Sequence, residues 1–461
     1  MDATDVVVLG AGPAGVGAAY RAARAGHRVV VLERSTVPGG AAGSFEVAGI
    51  RVDHGSHRLH PSIDPPILAE LRRLLGDELQ ERPRNGRIRL AGRWIAFPLR
   101  PGDLARRLPR DFALAAARDA LTAPLRRPRR DTFAEVLRAG LGPTMCERFY
   151  FPYARKIWGV EPDELSGAQA RRRVAAASPS RLLRRVLRGS REGRSVFHYP
   201  RGGFGRIVEV LAEAAAEAGA EFRYGTAVTG VDLAADGVRV RTDGGAAVDA
   251  ARAWSTLPLP MLARLATPEP PAGVLPAAGR LKFRAMLLVY LVLDRPRYTE
   301  FDAHYLPEPS TPVTRVSEPR NYRDGGDPPD RTVLCAELPC TAGDDLWSLG
   351  DAELGALVED GLARQGLPRP GAAAVHVRRL PHAYPVYRAG FERAFAPLDA
   401  WAGAQPRLLT FGRQGLFAHD NSHHALAMAW AAADALGSDG SFDDGAWAAA
   451  RERFAAHVVE D

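Results

Sequence analysis

Lysine is almost absent from this chain of 461 residues, which has only Lys156 and Lys282 among its 61 basic residues. A basic content made almost wholly of arginine is typical of a GC-rich genome, and a preference for anionic partners is the second interpretation. The formal net charge of +7 therefore does not by itself indicate a nucleic-acid-binding protein. We expect a small-molecule partner and no nucleic acid.

Cysteine is also scarce, and Cys146, Cys335 and Cys340 form neither a CxxC pair nor a regular framework. This pattern favours a reducing cytoplasm over a disulfide scaffold. The longest strongly apolar run, at residues 286–293, is far short of the roughly 20 residues that span a bilayer. The first predicted strand begins too close to Met1 for a secretory signal. We therefore predict a cytoplasmic protein that contacts a membrane at most peripherally.

What the sequence does contain is a nucleotide-binding pattern at residues 6–35, in the order strand, glycine turn, helix, strand, acid. Gly10 permits a tight turn, Gly12 lets the backbone approach a pyrophosphate, and Gly15 lets helix and strand pack closely. Glu33, at the end of the second strand, can accept the ribose hydroxyls. An acidic residue there disfavours a 2′-phosphate, so the pattern predicts a dinucleotide other than NADP.

The rest of the chain alternates between several patterns. Residues 86–99 are typical of a β-hairpin, and residues 101–195 carry Arg, Ala and Leu at helical spacing, which predicts a helical insert. Residues 281–379 alternate strand runs with Pro-rich turns and one predicted helix, as in a mostly antiparallel sheet. The remaining predicted elements are a helix over 205–218, a strand near 221–224, an Asp-Gly-Gly hairpin in 237–250 whose second strand continues to Pro258, and a last helix capped by Asn421 or Ser422.

The segment at residues 170–194 is rich in arginine, and three interpretations of it stay open. It is a solvated helix face, a rim for an anionic substrate, or a contact for lipid headgroups. The pattern of charges alone does not separate them.

Five motifs occur in one order along the chain: GAGPAG with LERS and GG, VDHGSHRLHP, FYFPYARKIWGVEPDELS, YPRGGFGRIVEVL and FGRQGLFAHDNSHHALAMA. With these motifs the chain resembles flavin-dependent oxidoreductases of the amine oxidase and protoporphyrinogen oxidase class, and within it the branch close to UDP-galactopyranose mutase. The resemblance covers most of the chain. It implies FAD as the cofactor.

The predicted fold class is α/β: a Rossmann-like FAD-binding domain of the glutathione reductase type, a helical insert and a substrate domain built on a mixed, mostly antiparallel sheet. The FAD-binding domain is predicted to be discontinuous. The predicted domain bounds are 1–85, 196–265 and 405–437 for the FAD-binding domain, 100–195 for the helical insert, 86–99 and 266–404 for the substrate domain, and 438–461 for a C-terminal helical tail.

The resemblance extends the predicted FAD site beyond the first glycines. The family places an arginine after the glycine pair that follows the acid, but here Gly39 and Gly40 precede alanine, which removes that contact. The late glycine loop would place backbone N–H groups near the pyrophosphate and the flavin, where positive dipoles stabilise a reduced flavin. The predicted FAD-binding residues are Gly10, Gly12, Gly15, Glu33, Arg34, Gly39, Gly40, Val228, Gly412, Arg413 and Asn421.

The motif VDHGSHRLHP contains His57 and His60, which the resemblance places on the flavin side and which we predict to be catalytic. A neutral imidazole there can accept a proton or orient a substrate hydroxyl. Structural hydrogen bonding and metal ligation are the alternatives, although no third ligand stands at metal-site spacing, so no metal is predicted. One of His423 and His424 is expected to face the flavin edge.

For the substrate, the resemblance assigns Tyr153 and Trp158 to a uridine end and Arg172 to a diphosphate, because aromatic faces stack on bases and guanidinium groups bind phosphate. Core packing is the alternative for the two aromatic residues. Phe417 and His419, also predicted to contact substrate, depart from the mutase, which has tyrosines there. Lys282 is either the flavin-proximal lysine of amine oxidases or a surface lysine at a strand end.

The predicted function is an FAD-dependent oxidoreductase that removes a hydride from an anionic small molecule, such as a sugar nucleotide or a specialised metabolite. The alternative is a redox-neutral, mutase-like isomerase in which reduced flavin acts as a nucleophile. A third hypothesis is a peripheral membrane or carrier-bound enzyme, or a binding module, that docks through the arginine-rich insert. The sequence does not indicate an oligomeric state.

Overall fold

The computed structural model describes residues 4–173 and 196–459. Most of the arginine-rich segment, from residue 174 onward, therefore lies outside the described residues. The strands are β1 Thr4–Leu9, β2 Val29–Leu32, β3 Ser44–Val47, β4 Ile50–Asp53, β5 Leu79–Pro83, β6 Gly86–Leu90, β7 Arg93–Phe97, β8 Val196–Pro200, β9 Glu221–Arg223, β10 Val228–Leu233, β11 Val238–Thr242, β12 Ala247–Ser255, β13 Ala266–Thr267, β14 Lys282–Leu293, β15 Ala303–Tyr305, β16 Arg315–Ser317, β17 Thr332–Cys340, β18 Ala374–Val386 and β19 Leu408–Thr410.

The helices are α1 Pro13–Arg24, α2 Pro65–Leu75, α3 Pro101–Arg107, α4 Arg110–Thr122, α5 Phe133–Leu141, α6 Pro143–Met145, α7 Phe151–Trp158, α8 Gly167–Arg173, α9 Arg206–Glu217, α10 Leu259–Leu265, α11 Val274–Arg280, α12 Asp345–Ser348, α13 Asp351–Arg364, α14 Glu392–Gly403, α15 Gly412–Gly415, α16 Ser422–Asp434 and α17 Asp444–Ala455. Within the described ranges, none of these helices is both long and apolar enough to cross a bilayer.

An eight-stranded sheet has the order β13-β10-β11-β12-β1-β2-β9, with β19 added beside β12. Strand β1 is parallel to both β2 and β12, and its side chains are buried from Val6 to Leu9. A continuous apolar run is what a strand buried on both faces requires. Helices α1, α9 and α16 pack on one face of this sheet and share one apolar core with it.

A second sheet of seven strands has the order β18-β14-β17-β16-β15-β6-β7. Every pairing in it is antiparallel except that of β15 with β6. Helices α3 and α4 pack on the β6–β7 hairpin, and Phe112 shares one apolar core with Ile88 and Ile95. Helices α5, α7 and α8 form a separate core that includes Val386 of β18. The predicted α/β fold class is confirmed.

Two details of the predicted elements are wrong. The strand expected to run to Pro258 ends at Ser255, because Pro258 is already the N-cap of helix α10. The stretch 281–379 was expected to hold one helix, but α12 and α13 both lie there, since Asp344 caps a short first helix and Gly350 begins a second.

Candidate active site

The glycine turn after β1, formed by Gly10, Gly12 and Gly15, is shaped by three different constraints. Gly10 has φ +101°, and a Cβ there would stand 2.6 Å from Oγ1 of Thr256. A Cβ on Gly15 would stand 1.9 Å from the carbonyl oxygen of Gly10, so helix and strand could not approach as they do. A Cβ on Gly12 would meet nothing within 4 Å. The first and third glycines thus serve the fold, and Gly12 faces open space.

The carboxylate of Glu33 is held in place at the end of β2. Its two oxygens accept hydrogen bonds from the backbone N–H groups of Ala11 and Ser35, each at 2.8 Å, and the residue is buried. Gly12 is the N-cap of helix α1 and provides no side-chain cap, so the backbone N–H groups that follow Pro13 in the first turn are available to an anion. An acid fixed beside a bare helix N-terminus fits the ribose and pyrophosphate of a dinucleotide.

The other predicted cofactor residues lie around this turn. Gly39 donates its N–H to the carbonyl of Ala11 at 2.9 Å, and a Cβ on Gly40 would come within 3.1 Å of the Cα of Gly12. Gly412 has φ +79°, and a Cβ there would stand 2.9 Å from Cβ of Ala14. The two glycine loops therefore close on the same turn.

Val228 and Arg34 lie at the margin of this region. Val228 begins β10 opposite Thr242 and is half-buried. Two residues earlier, Thr226 donates its N–H to the carbonyl of Glu33 at 2.9 Å, which places the start of β10 beside the acid. The side chain of Arg34 is exposed.

A cavity lies beside the alanine that follows the glycine pair, Ala41, and Asn421 forms another part of its wall. Asn421 and His424 also form a capping box at the N-terminus of helix α16. Five arginines from five separate parts of the chain line this space, which we call the arginine cavity: Arg58, Arg84, Arg173, Arg315 and Arg413.

Two of these arginines are neutralised by carboxylates. Arg58 pairs with Asp302 at 3.1 Å, and Arg315 pairs with Glu337 at 2.7 Å. Glu337 also accepts a hydrogen bond from the backbone N–H of Ser56 at 2.8 Å. It therefore holds the segment that carries His57 against strand β17 of the second sheet. These two pairs are buried or nearly so, which makes them expensive to break.

Arg173 and Arg413 have no carboxylate within ion-pair distance among the residues described. The guanidinium of Arg173 lies over the rings of Trp158 and Tyr384, at 5.2 and 4.9 Å. Arg413 lies 5.6 Å from the Tyr384 ring and donates from Nε to the backbone carbonyl of Asp420 at 2.9 Å. Burial lowers the pKa of Arg413. Two cations without acidic partners thus face one cavity, a strong attraction for an anion.

The two predicted catalytic histidines occupy different places. His57 lines the arginine cavity, its ring stacks on Phe204 at 5.1 Å, and its buried Nδ1 makes no hydrogen bond of normal geometry among the residues described. Burial, together with Arg413 and Arg315, lowers the pKa of His57 to about 3. The ring is therefore neutral near neutral pH, suited to orienting a polar group rather than to holding a proton.

His60 does not line the cavity. Its Nδ1 lies 2.7 Å from Oγ of Ser62, and its ring centroid lies 6.1 Å from that of His423. It thus belongs to a polar cluster beside the start of α16. The two histidines therefore do not line the same cavity.

Of the predicted substrate residues, only His419 lines the arginine cavity. Its buried ring packs edge-on against the rings of Trp158 and Tyr387. Burial is the main cause that lowers the pKa of His419 well below its usual range, and the positive charges of Arg173 and Arg413 lower it further. Trp158 is buried behind it, so it supports the wall from within.

The remaining three substrate residues lie elsewhere. Tyr153 stacks on Phe149 at 6.2 Å, and Phe417 is buried among aromatic rings with φ +47°. Arg172 donates to the carbonyl of Ala455 at 3.1 Å, while its neighbour Arg173 lines the cavity. On helix α8 a shift of one residue turns the side chain by about 100°, which the motif alone did not resolve.

A second group of polar side chains near the start of α16, formed by Asp420, His424 and His457, was not predicted from the sequence. Oδ1 of the buried Asp420 lies 3.4 Å from Nδ1 of His424 and 3.1 Å from Nδ1 of His457. The three ligand-type atoms lie within 4.8 Å of one another. However, the two rings stack at 4.1 Å with planes 14° apart, so their Nδ1 lone pairs do not converge on one ion as metal-bound imidazoles do. A signal was available in the DNSHH sequence, but His457 is distant in the chain.

Lys282, at the start of β14, is exposed and donates from Nζ to the carbonyl of Gly279 at 2.9 Å. It does not line the arginine cavity. The other lysine, Lys156, is the more confined of the two: its Nζ donates to the carbonyls of Leu306 and Glu308, and burial lowers its pKa to about 7.

Residues 13–434 match the family model described as flavin containing amine oxidoreductase. The chain belongs to that family. The predicted membership in the flavin-containing amine oxidoreductases, and with it the predicted FAD, is confirmed.

Relatives of this flavin-containing amine oxidoreductase match it over part of its length. A Mycobacterium tuberculosis protein named as flavin-containing monoamine oxidase AofH is 32% identical over 259 residues, which are 53% of this chain and 54% of the relative. The phytoene dehydrogenase of Streptomyces griseus is 29% identical over 269 residues, 50% of each chain. The chain thus spans about half the length of the curated relatives it matches.

Solved structures match over nearly the whole chain. The crystal structure of reduced UDP-galactopyranose mutase has a TM-score of 0.82 at 20% identity and covers 99% of this chain and 100% of its own. A protein from Exiguobacterium sp. 255-15 named as a protoporphyrinogen oxidase has a TM-score of 0.71 at 22% identity, covering 94% and 98%. Putrescine oxidase bound to putrescine has a TM-score of 0.67 at 19% identity, also covering 94% and 98%. At these identities the similarity shows a shared fold.

Proposed function

We propose that the protein is an FAD-dependent oxidoreductase that oxidises an anionic small molecule bound in the arginine cavity. The observation that carries this proposal is the pair Arg173 and Arg413, which face one cavity with no carboxylate at ion-pair distance among the described residues. A carboxylate or phosphate group of the substrate would supply the missing charge.

The residues proposed to hold the cofactor follow from the turn geometry. Gly12 and the N-terminus of α1 would take the pyrophosphate, and Glu33 would accept the ribose hydroxyls. Gly39, Gly40 and Gly412 would let the backbone close around it, with Arg34, Val228, Arg413 and Asn421 at its margins. When bound, the flavin supplies the two-electron acceptor that no side chain provides.

The chain's own residues are proposed to bind and orient the substrate. The guanidinium of Arg173 lies over the rings of Trp158 and Tyr384, and these cation–π contacts would help to orient it toward an anion. His57 is neutral and would exchange a hydrogen bond with a hydroxyl or amine of the substrate. His419 and Trp158 would shape the cavity behind these contacts.

The proposal is tested on the purified protein with its flavin, mixed anaerobically with substrate candidates that come in pairs. Each pair consists of an amine or alcohol that carries a carboxylate or phosphate and its neutral analogue. We expect only the anionic member to bleach the visible absorbance of oxidised flavin. Bleaching by the neutral member at equal or lower concentration would contradict the role of the cavity arginines, and protein that binds no flavin would contradict the whole proposal.

A redox-neutral isomerase of nucleotide sugars is the second candidate. Two observations favour it: the fold similarity to the mutase extends over 99% of this chain, and the uncompensated arginines suit a diphosphate. It differs in one measurable respect. An isomerase converts a UDP-sugar only after the flavin has been reduced with dithionite, and it uses no reductant during turnover. Its oxidised flavin is not bleached by the sugar alone, unlike that of an oxidoreductase mixed with its substrate.

A further inference from the structure

Three leucines on the helical insert point into solvent. Leu114 and Leu121 on α4, and Leu125 just after it, are 72%, 82% and 85% exposed. Within the described ranges, the other large hydrophobic residues with exposed side chains are Val37, at 57%, and Met261, at 41%. The three highest exposures therefore fall within 12 residues of chain. We call these three residues the leucine face.

The leucine face is separate from the apolar side that anchors the helix. Leu114 and Leu121 are seven residues apart, which places them on the same side of α4 two turns from each other. Phe112 and Ala116 point the other way and pack on the β6–β7 hairpin. Helix α4 thus has one apolar side that the fold buries and a second that the described residues leave uncovered.

The surroundings of the leucine face are strongly cationic. Residues 101–130 contain eight arginines and three aspartates, with no lysine or glutamate, a formal charge of +5. Asp103 and Asp111 are engaged by Arg107 and Arg148. Arg110, Arg118 and Arg127 are exposed, and no carboxylate among the described residues lies at ion-pair distance from them. Arg118 lies one turn beyond Leu114, between the leucines.

From this arrangement we infer that the leucine face docks the protein on an anionic lipid surface. Exposed leucines on a short helix, flanked by arginines whose guanidinium groups reach phosphate, are what an interfacial membrane contact requires. The arginine stems add apolar contact while their charged ends stay at headgroup level. A protein partner would favour aromatic anchors at such a face, and residues 113–130 contain no aromatic side chain. The contact would lie on the surface without crossing the bilayer.

The inference is tested by co-sedimentation of the full flavin-loaded protein with vesicles of phosphatidylcholine, with and without phosphatidylglycerol. We expect binding only when phosphatidylglycerol is present, and a loss of binding as salt shortens the Debye length from about 30 Å at 0.01 M to about 3 Å at 1 M. The variant Leu114→Ser/Leu121→Ser/Leu125→Ser should bind at least about tenfold more weakly. Arg110→Gln/Arg118→Gln/Arg127→Gln should weaken binding most at low salt.

Met261→Ser is the matched control, because it removes an exposed apolar side chain outside this region and should bind as the parent does. All variants should keep their flavin spectrum and solution activity, since none of these residues lines the cavity. A parent protein that stays in the supernatant at low salt would overturn the inference, as would a leucine variant that binds like the parent. Sedimentation velocity without lipid tests whether a second copy of the chain covers the leucine face instead. Self-association of the parent that is lost in the leucine variant would assign the face to a second copy, and it would also overturn the inference.

Discussion

At the glycine turn the chain offers backbone groups, whereas at the arginine cavity it offers side chains. The turn is formed by three glycines within six residues, and its shape depends on where a Cβ would fit. The cavity is formed by arginines from five separate parts of the chain, and its character depends on which of their charges are paired. Substitutions at the turn should therefore affect folding or the cofactor, and substitutions at the cavity should affect the substrate.

The largest effect is expected at the turn, from Gly15→Ala. Its new methyl group would stand 1.9 Å from the carbonyl oxygen of Gly10, so α1 must move away from β1 at a cost of about 1–3 kcal/mol. We expect a large fall in the midpoint of thermal unfolding, together with loss of flavin. Gly12→Ala is the matched control: with nothing within 4 Å of its Cβ, the apoprotein should fold normally and only bind FAD more weakly. Equal unfolding midpoints for the two apoproteins would contradict this division.

The second prediction tests the cavity by comparing two neighbouring arginines. Arg173→Gln should lower kcat/KM for an anionic substrate by about 10- to 100-fold, because charge-assisted hydrogen bonds contribute about 1.5–3 kcal/mol. Arg172→Gln should change it much less, since that side chain contacts the carbonyl of Ala455. Both proteins should keep their flavin spectrum. The reverse order of effects would restore the role that the motif assigned to Arg172.

A smaller effect is expected from the cavity histidine. His57→Asn should lower kcat/KM about tenfold, since it changes one neutral hydrogen-bonding contact. Because the pKa of His57 is lowered to about 3, the ring stays neutral between roughly pH 5 and 8, and the loss should be the same across that range. His60→Asn should have less effect, because His60 does not line the cavity.

Steady-state kinetics as a function of pH decides between these two histidines. If His57 served as a base with an ordinary pKa, the parent enzyme would lose activity below about pH 6.5 and the substitution would remove that loss. If His60→Asn abolished turnover while His57→Asn did not, the catalytic role would belong to the polar cluster with Ser62 and His423.

The contrast between the two regions also explains what could be predicted from the sequence. The order of strand, glycine turn, helix and second strand could be predicted because one short segment determines it, and Gly10 and Gly15 each have a local steric reason. The cap of α16 was narrowed to Asn421 or Ser422 for the same reason, and the structure has Asn421. The pairing of Arg58 with Asp302 and of Arg315 with Glu337 joins residues 244 and 22 positions apart. No periodicity encodes such contacts, because the first joins distant parts of the chain and the second depends on the register in which β16 pairs with β17.

The smallest effect, and the last prediction, concerns Lys282. If this residue were the flavin-proximal lysine of amine oxidases, Lys282→Met would slow flavin reduction severely. In the structure its side chain is exposed and its Nζ is engaged by the carbonyl of Gly279, outside the lining of the arginine cavity. We therefore expect less than about a twofold change in the rate of flavin reduction and in stability, as for most surface substitutions. Stopped-flow reduction measures the rate, with Lys282→Arg as the charge-preserving control. A large loss in Lys282→Met that Lys282→Arg does not share would show that the ammonium group acts in catalysis, and it would move the reactive end of the substrate away from the arginines and toward the start of β14.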